Sequence, residues 1–331
     1  MRKYTLLVLT DHANHSAENS IYPLVKAIRT HPRCEQVDVA TRANPLNDFF
    51  FKVHSSKNLF VSKADESFGF YEDGRPFKKN VRKESLRNYD AIWLRMPPPL
   101  SENLLKFLIK ELPNQLIINE PKAVFETGSK EFLMNFPDLC PPMKVCRSIE
   151  DIIQFKNQFP IVLKPFRGYG GKGLVRIDGD RVWEGNSETT LDDFTSKIQN
   201  TAIEYLGVKF LENVTQGDKK IVVINGHIIG SSLRQPPKDS WLCNIPNEGN
   251  INFAKVDEEE IEIVDALNEQ LLEMGIFMYG IDTLVGDDGN RVLLEINTTN
   301  IDGLGQIVKL MGKPSIKKAA ELLWNYIIEK S

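Results

Sequence analysis

In the first third of the chain, short apolar runs typical of strands alternate with segments whose apolar residues recur at helical spacing. Short apolar runs bounded by polar residues indicate buried strands, and they lie at 4–9, 37–40, 91–94 and 116–118. Between them, apolar residues recur at i, i+3, i+4 and i+7 from Ile21 to Ile28, and Ser101 begins a second amphipathic stretch. Because strand and helix alternate, we predict a small open parallel sheet with helices on both faces. Residues 41–88 are mixed and charged, and we expect hairpins and loops there.

The rest of the chain contains paired apolar runs joined by turn dipeptides. Gly179-Asp180, Asn225-Gly226 and Asp288-Gly289 each lie between two such runs, which is a hairpin signal. Further strands are predicted at 143–147, 160–164, 174–177, 181–183, 221–224 and 227–230, and helices at 129–136, from Ser148, at 257–274 and twice at the C-terminus. Residues 236–254 are expected to form a mobile loop. The predicted fold class is α/β, with an N-terminal domain at 1–120 and two α+β lobes, at 121–204 and 205–331, able to enclose a ligand.

Composition narrows the class of protein. The 331 residues carry a net charge of −4, with 26% charged and 41% hydrophobic residues, which is ordinary for a soluble globular protein. There is no long basic block, so we expect no nucleic-acid partner. No apolar run reaches transmembrane length, so we expect no membrane partner. The four cysteines form no CxxC or zinc-like set, and no signal peptide is expected, so a cytoplasmic protein is predicted.

The most informative segment is the acidic hairpin at 280–297. If Asp288-Gly289 is its two-residue turn, Asp282 lies directly opposite Glu295, and Asn297 shares their face. The residues expected on the other face are Ile281, Thr283, Val285, Val292, Leu294 and Ile296. Two carboxylates roughly 5 Å apart repel unless a cation or a proton offsets them. An all-oxygen set of this kind suits Mg²⁺ completed by waters and phosphates, and the alternative is a solvated hairpin face.

A glycine loop at 168–173 matches GxGxxG literally. A dinucleotide fingerprint needs a helix after the loop, whereas 174–177 alternates like a strand. A protein kinase would also need downstream HRD and DFG motifs, which this chain lacks. In a Walker A loop Ser or Thr would follow Lys172, but Gly173 does. The remaining functional interpretation is a flexible flap that covers phosphates, with Lys164 beneath it as a fixed positive charge, and the alternative is a plain glycine hairpin.

Further candidates are single polar residues near predicted strands and helices. Lys130 lies on a helix entering the first lobe, where a solvated lysine is the competing interpretation. Asp218, Lys219 and Lys220 precede a strand, and a solvated turn explains them almost as well. Arg234 follows a long apolar strand, and an inward-pointing arginine there needs an anionic partner, so we favour a phosphate or acyl-phosphate role. The segment 209–212 could form an adenine edge or belong to the core.

These residues resemble the ATP-grasp superfamily, and within it the bacterial glutathione synthetases. The similarity runs through nearly the whole chain. The blocks that carry it are Leu94-Arg95-Met96-Pro97-Pro98-Pro99, Asn119-Glu120-Pro121, Ser129-Lys130-Glu131-Phe132, Leu163-Lys164-Pro165, Gly168 to Gly173, Gly217-Asp218-Lys219-Lys220, Gly280-Ile281-Asp282 and Leu294-Glu295-Ile296-Asn297. The Lys164-Pro165 pair and the last two blocks are specific to the superfamily, and the block from Arg95 to Pro99 points to the glutathione synthetase branch.

The resemblance implies an ATP-grasp fold behind an N-terminal domain, and a role for each matching position. It makes Lys130, Lys164, Gly168, Tyr169, Gly170, Gly171, Phe210, Leu211, Asp218 and Lys220 nucleotide-binding residues, Lys164 and Arg234 catalytic residues, and Asp282, Glu295 and Asn297 ligands of Mg²⁺, with Mn²⁺ as the alternative metal. The implied reaction is an ATP-dependent ligation through an acyl phosphate, in which γ-glutamylcysteine supplies the carboxylate and glycine the amine. The implied assembly is a homo-oligomer. Lys220 stands where the family usually has arginine.

Three departures from the family concern the substrate rather than the nucleotide. After Asn297 the family continues Val-Thr-Ser-Pro-Thr, and this chain continues from Thr298 to Asp302 with a different segment. The family's Arg-Gly-Asn in the mobile loop is Leu242-Cys243-Asn244 here, so one cationic contact is missing. The family has Lys-Asp before two prolines, and this chain has Met96-Pro97 at those two positions. Three other interpretations stay open: ligation of a different peptide and amino-acid pair, a ligase that modifies a protein tail, and a non-catalytic nucleotide-binding or regulatory protein.

Overall fold

The first unit is a six-stranded sheet at the N-terminal end of the chain. The computed structural model describes residues 2–331 apart from 98, 169, 186, 238–240, 242–249, 300 and 302, with the backbone alone at 250, 251, 311 and 313. The strands are β1 (Tyr4–Thr10), β2 (Cys34–Thr41), β3 (Asn58–Lys63), β4 (Arg82–Ser85), β5 (Ala91–Leu94) and β6 (Leu116–Ile118), in the order β4-β3-β2-β1-β5-β6. The four predicted strands pair in parallel as β2-β1-β5-β6. Part of the 41–88 segment extends this sheet as the antiparallel pair β3 and β4.

Helices cover both faces of this sheet, as predicted. They are α1 (Ile21–Arg29), α2 (Asp48–Phe51), α3 (Glu102–Glu111) and α4 (Pro121–Thr127). Alternate residues of β1 face opposite ways, so Leu6 packs in the core that contains α1 and Leu7 in the core that contains α3. The C-terminal helix returns to the α1 side, where the buried Trp324 donates from its indole nitrogen to the carbonyl oxygen of Ile28 at 3.1 Å.

The second sheet carries the glycine loop. Its strands are β7 (Met143–Cys146), β8 (Ile161–Pro165), β9 (Val175–Asp178), β10 (Arg181–Glu184), β11 (Ser187–Thr190) and β12 (Tyr205–Lys209), in the order β11-β10-β9-β8-β12-β7, with helices α5 (Ile149–Lys156) and α6 (Leu191–Ile198). Ser148 caps α5 by accepting from the backbone N–H of Asp151 at 3.1 Å. The helix predicted at 129–136 is a 3-10 helix, Lys130–Asn135. Strand β12 pairs with β7 and β8, so hydrogen bonding places 205–209 in the second sheet; the domain limits stay a prediction.

The third sheet contains the acidic hairpin. Its strands are β13 (Asp218–Ile224), β14 (His227–Gln235), β15 (Asn250–Phe253), β16 (Met278–Val285) and β17 (Arg291–Asn297), in the order β15-β14-β13-β16-β17, with helices α7 (Glu258–Glu273), α8 (Gly303–Met311) and α9 (Lys313–Lys330). Asn225 and Gly226 both have positive φ, 47° and 75°, which is the backbone of the predicted two-residue hairpin turn. Most of the loop predicted at 236–254 lies outside the described residues. Its end differs from the prediction, because β15 pairs with β14.

Asn119 joins the first unit to the third sheet. Its side-chain oxygen accepts from the backbone N–H of Phe277 at 2.8 Å and of Met278 at 2.9 Å. Its amide nitrogen donates to the carbonyl oxygens of Met278 and Thr298 at 2.6 and 2.8 Å. One buried side chain therefore fixes the start of β16, the strand that carries Asp282, relative to the N-terminal sheet.

Charged residues on β13 alternate between the two faces of the third sheet. Lys219, which is 3% exposed, forms ion pairs of 2.7 Å with Asp257 and with the fully buried Glu260. This network fixes the start of α7 against the sheet. Asp218 and Lys220 point to the opposite face because side chains alternate along a strand.

Among the described residues, no helix is both long and apolar enough to cross a membrane.

Candidate active site

The acidic hairpin brings the two predicted carboxylates together. Asp282 on β16 is directly opposite Glu295 on β17, which confirms the predicted pair. The turn differs from the prediction, because the strands are joined by residues 286–290, closed by the Gly286 N–H donating to the Asn290 carbonyl at 2.7 Å. Between this loop and the pair, β17 has one more residue than β16, because Val285 pairs with Arg291 whereas Asp282 pairs with Glu295. A bulge between Asp282 and Thr283, which pairs with Leu293, accommodates the extra residue and keeps Asp282 opposite Glu295.

Because of the bulge, one side chain of β17 points to the face opposite the predicted one. Leu294 was expected on the face opposite Asp282, but it lines the same cleft as Asp282 and Glu295, whereas Leu293 is fully buried. The extra residue also leaves the Leu294 carbonyl unused within the strand pair. That carbonyl accepts from the Lys164 ammonium at 3.3 Å. The irregularity in the sheet therefore helps to position a predicted catalytic lysine.

A cleft between the second and third sheets contains most of the predicted site. It measures about 910 Å³, including the space open to solvent. Predicted residues that line it are Lys130, Lys164, Gly168, Gly170, Gly171, Phe210, Leu211, Asp218, Asp282 and Glu295. Lys220 and Arg234 lie behind this lining and contact Asp282, and Asn297 lines a smaller adjoining cavity together with Glu295. Tyr169 lies outside the described residues.

Cationic side chains offset the repulsion between the two carboxylates. Asp282 pairs with the Lys220 ammonium at 2.7 Å and with the Arg234 guanidinium at 2.9 Å. Glu295 pairs with Lys130 at 3.2 Å, and Lys130 also donates to the carbonyl of Gly168 at 2.8 Å. Burial alone would raise the pKa of Asp282, but Lys220 and Arg234 outweigh burial and lower it. The Asp282 carboxylate is therefore held ionised by protein cations.

Arg234 has the anionic partners that its inward position requires. It lies directly across from Asp218 in the β13–β14 pair. Its Nε donates to Asp218 at 2.9 Å, and its Nη2 donates to both Asp218 and Asp282. Although burial opposes the charged form, Asp282 and Asp218 raise the pKa of Arg234. Burial raises the pKa of Asp218, against the opposing effect of Arg234. The guanidinium is thus fixed by two carboxylates that line the cleft.

Lys164 is the half-buried cation in the floor of the cleft. Burial lowers its pKa, and the neighbouring Lys130 lowers it as well, against the opposing effect of Glu295. A lysine in this environment gains from an anionic ligand, since a phosphate would stabilise its charged form. The position beneath the glycine loop matches the predicted fixed charge, since Gly168, Gly170 and Gly171 line the same cleft.

The apolar walls of the cleft were not predicted. They comprise Val162, Leu174, Val208, Val214, Trp241, Leu284 and Leu294. The two-residue period of a strand could have found Val162 from Lys164 and Val208 from Phe210. The Arg176 guanidinium lies 3.9 Å from the centroid of the Phe210 ring and 4.9 Å from that of Trp183. This stacking supports the wall at Phe210, and no sequence signal identified it.

The donor set fits a hard divalent cation. Asp282 and Glu295 supply carboxylate oxygens, and Asn297, whose amide lies 3.2 Å from Asp282, can supply a third oxygen after rotation of its amide group. Within the described part of the chain, no group of three or more His, Cys, Asp and Glu side chains is arranged to hold a metal. The candidate is therefore a two-carboxylate site that is completed by phosphate oxygens and water, which is the usual arrangement for Mg²⁺.

Comparison with known proteins decides the family. The model of the prokaryotic glutathione synthetase ATP-grasp domain matches residues 129–312, more than half of the chain. The glutathione synthetase of Bradyrhizobium diazoefficiens is 30% identical over 274 residues, covering 82% of this chain and 81% of the relative. The chain belongs to the prokaryotic glutathione synthetase family. The Brucella melitensis glutathione synthetase is 29% identical over 262 residues, or 78% of this chain and 77% of the relative.

Solved structures confirm the fold of this glutathione synthetase family member. A D-cycloserine synthetase superposes with a TM-score of 0.67 at 13% identity, covering 98% of this chain and 99% of that one. The D-alanyl-alanine synthetase A of Vibrio cholerae superposes with a TM-score of 0.60 at 14% identity, covering 100% and 99%. The predicted ATP-grasp fold is thus confirmed. As a family member the chain is a ligase that forms C–N bonds from small-molecule substrates and uses ATP and Mg²⁺.

Proposed function

We propose that this chain is a glutathione synthetase, which joins the cysteinyl carboxylate of γ-glutamylcysteine to the amine of glycine. The γ-phosphoryl group of ATP passes to the carboxylate and releases ADP. The glycine amine then attacks the acyl phosphate, loses a proton and displaces inorganic phosphate, leaving an amide. The observation that carries the proposal is the convergence of Asp282, Glu295 and Lys164 under the glycine loop in a chain that belongs to this family.

Two cationic side chains would stabilise the negative charge of the reacting groups. Lys164, held by the Leu294 carbonyl, would contact the phosphate oxygens and stabilise the charge that develops during transfer. Arg234, held by Asp218 and Asp282, would steady the acyl phosphate and its oxyanion. Their positions are fixed before substrate binds, so little reorganisation is needed during the reaction. No side chain needs to act as a covalent nucleophile.

The apolar and the polar parts of the cleft would bind different parts of ATP. The apolar wall around Phe210 and Leu211 offers a site for adenine, and the glycine loop with Lys130 would cover the phosphates. Asp282, Glu295 and Asn297 would hold the divalent cation. When bound, Mg²⁺ would neutralise charge on the phosphates.

We further propose a cytoplasmic homo-oligomer. Leu46, Phe49 and Val53 are 55%, 66% and 59% exposed and follow one another at helical spacing on the surface of the first unit. Large apolar side chains grouped in this way favour contact with another protein surface. Light scattering coupled to size-exclusion chromatography tests the assembly, and a monomer at micromolar concentration would contradict it.

A second candidate is ligation of a different peptide and amino-acid pair. It is favoured by the departures after Asn297 and at Leu242-Cys243-Asn244, although the latter segment lies outside the described residues. Phosphate release from Mg·ATP, measured with paired amino acids and dipeptides, separates the candidates. Release only with γ-glutamylcysteine plus glycine supports glutathione synthesis, and release only with another pair supports the second candidate. No release with any pair would contradict both.

A further inference from the structure

A row of paired side chains crosses the second sheet on the face of the cleft. Val162 on β8 pairs with Val208 on β12 on one side and with Arg176 on β9 on the other. Arg176 in turn pairs with Trp183 on β10. Paired residues share a face of a sheet, and Val162 and Val208 both line the cleft. Phe210 follows Val208 at the two-residue period of a strand and lines the cleft as well. The row therefore connects the cleft wall to the outer strands.

The Arg176 side chain lies between two aromatic rings. Its guanidinium carbon is 3.9 Å from the centroid of the Phe210 ring and 4.9 Å from that of Trp183. Its Nε is shut off from solvent and has no hydrogen-bond partner among the described residues, and a desolvated cation gains most from an aromatic face. The ion pair of Arg176 with Asp178, at 3.4 Å, is partly exposed and contributes little. The two rings therefore hold the guanidinium more firmly than the carboxylate does.

The outer of these two rings is itself fixed. The indole nitrogen of Trp183 donates to Glu188, its partner in the β10–β11 pair, at 3.2 Å. The Arg181 guanidinium lies 4.7 Å from the centroid of Trp183 and donates to Glu188 at 2.7 and 3.0 Å. Movement of Trp183 away from Arg176 would break these contacts. A continuous set of contacts from Glu188 to Phe210 therefore supports the cleft wall from behind.

Phe210 forms part of the cleft wall, whereas Arg176 lies behind it. Phe210 lines the cleft, and Arg176 is not among the described lining residues. Phe210 follows the last residue of β12, and its backbone N–H donates to the carbonyl oxygen of Pro160 at 2.8 Å. This bond fixes the backbone, and the guanidinium over the ring fixes the orientation of the side chain. A flat aromatic ring that is held in one orientation is a stacking surface for a planar base.

We propose that Arg176 is a positioning residue for ATP binding, which holds the Phe210 ring as a stacking surface for adenine. The inference rests on the proposed function and names the residue that prepares its adenine site. Lys130 and Lys164, which are proposed to contact the phosphates, are held by other partners. Loss of Arg176 should therefore weaken binding of the base and leave phosphate binding and phosphoryl transfer unchanged.

The test compares two ligands and four proteins. The ligands are a nonhydrolysable ATP analogue with an imido β,γ-bridge and inorganic tripolyphosphate, which lacks the base and the ribose. The proteins are the wild type, Arg176→Met, Arg176→Lys and Arg181→Met. Arg181→Met is the matched control, because it removes a guanidinium from the outer side of the same tryptophan. Equilibrium binding of each ligand with Mg²⁺ is measured by calorimetry, beside kcat and the KM for ATP. Circular dichroism and thermal melting establish that each variant is folded.

Arg176→Met should bind the ATP analogue about 3- to 30-fold more weakly than the wild type, the range of a cation–π contact. Its affinity for tripolyphosphate and its kcat should be unchanged. Arg176→Lys should recover part of the loss because a charge remains near the ring, and Arg181→Met should match the wild type. Unchanged affinity for the ATP analogue in Arg176→Met, or an equal loss of affinity for both ligands, overturns the proposal.

A double-mutant cycle separates positioning from a general effect on the fold. In Phe210→Leu, the further change Arg176→Met should not weaken binding of the ATP analogue, because the ring that Arg176 holds is gone. Additive losses would overturn the proposal. If Arg176→Met fails to fold, Trp183→Leu removes the support behind Arg176 and should show a smaller loss for the ATP analogue alone. The expected binding pattern in a protein without ligase turnover would support this inference and contradict the proposed function alone.

Discussion

Replacement of Lys164 by alanine tests the chemistry of the cleft most directly. The ammonium is half-buried, lines the cleft and is held 3.3 Å from the carbonyl of Leu294. Its position depends on the β16–β17 bulge rather than on a flexible loop. Alanine removes the charge and leaves the strand intact, because the β8 pairing uses backbone groups only. We therefore expect a folded protein with impaired phosphoryl transfer.

The size of the effect follows from charge and position. An ammonium about 4 Å from a phosphate oxygen interacts by about 4 kcal/mol at an effective dielectric constant near 20. Part of this attraction also stabilises bound ATP, and only the part that grows in the transition state raises kcat. Loss of one preorganised donor typically reduces kcat by about 10²- to 10³-fold. We expect a loss of kcat in this range and a smaller rise in the KM for ATP.

The assay is steady-state phosphate release with saturating γ-glutamylcysteine and glycine. Lys144→Ala is the matched control, because Lys144 lies in the same sheet and its ammonium pairs with Asp151 at 3.2 Å, outside the cleft. The control should keep at least about half of the wild-type kcat, as expected for a surface ion pair. If Lys164→Ala turned over within threefold of the wild type, the assigned role of this lysine would be wrong.

Three other changes probe the metal site, the sheet and the helix packing. Glu295→Gln should weaken ATP binding in a way that excess Mg²⁺ partly restores, measured by titrating ATP at several Mg²⁺ concentrations. Glu260→Gln should lower the free energy of unfolding by about 3–5 kcal/mol in urea, because it breaks a buried ion pair with Lys219. Gly305→Ala should cost about 1–3 kcal/mol of stability, because its Cβ would lie 2.3 Å from the carbonyl oxygen of Glu18.

Each of the two changes that test stability has a control variant. Glu258→Gln, exposed in the first turn of α7, should change stability by less than about 1 kcal/mol. Gly289→Ala has open space around the new methyl group, so only its positive φ of 88° should cost stability. ATP binding by Glu295→Gln that matched the wild type at limiting Mg²⁺ would argue against the metal assignment. Stability equal to the wild type in Glu260→Gln or Gly305→Ala would contradict the packing described for those residues.

Local sequence patterns predicted those parts of the candidate site whose geometry depends only on residues close together in the chain. Strand periodicity and a turn dipeptide placed Asp282 opposite Glu295. The pair forms even though a five-residue loop, 286–290, replaces the predicted two-residue turn, because a bulge places one extra residue on β17. The predicted orientation of Leu294 was wrong because of the same bulge. Period and turn type are local quantities, whereas the bulge depends on how β17 packs against the rest of the sheet.

Local patterns in the chain were enough to predict the parallel N-terminal sheet, the Asn225-Gly226 hairpin and the pairing of Asp282 with Glu295. These features depend on propensities and spacings within about a dozen residues. The folded structure was needed to show that Lys220 and Arg234 neutralise Asp282 and that Asn119 fixes β16. Such contacts join residues far apart in the chain, and their geometry is set by the packing of whole sheets.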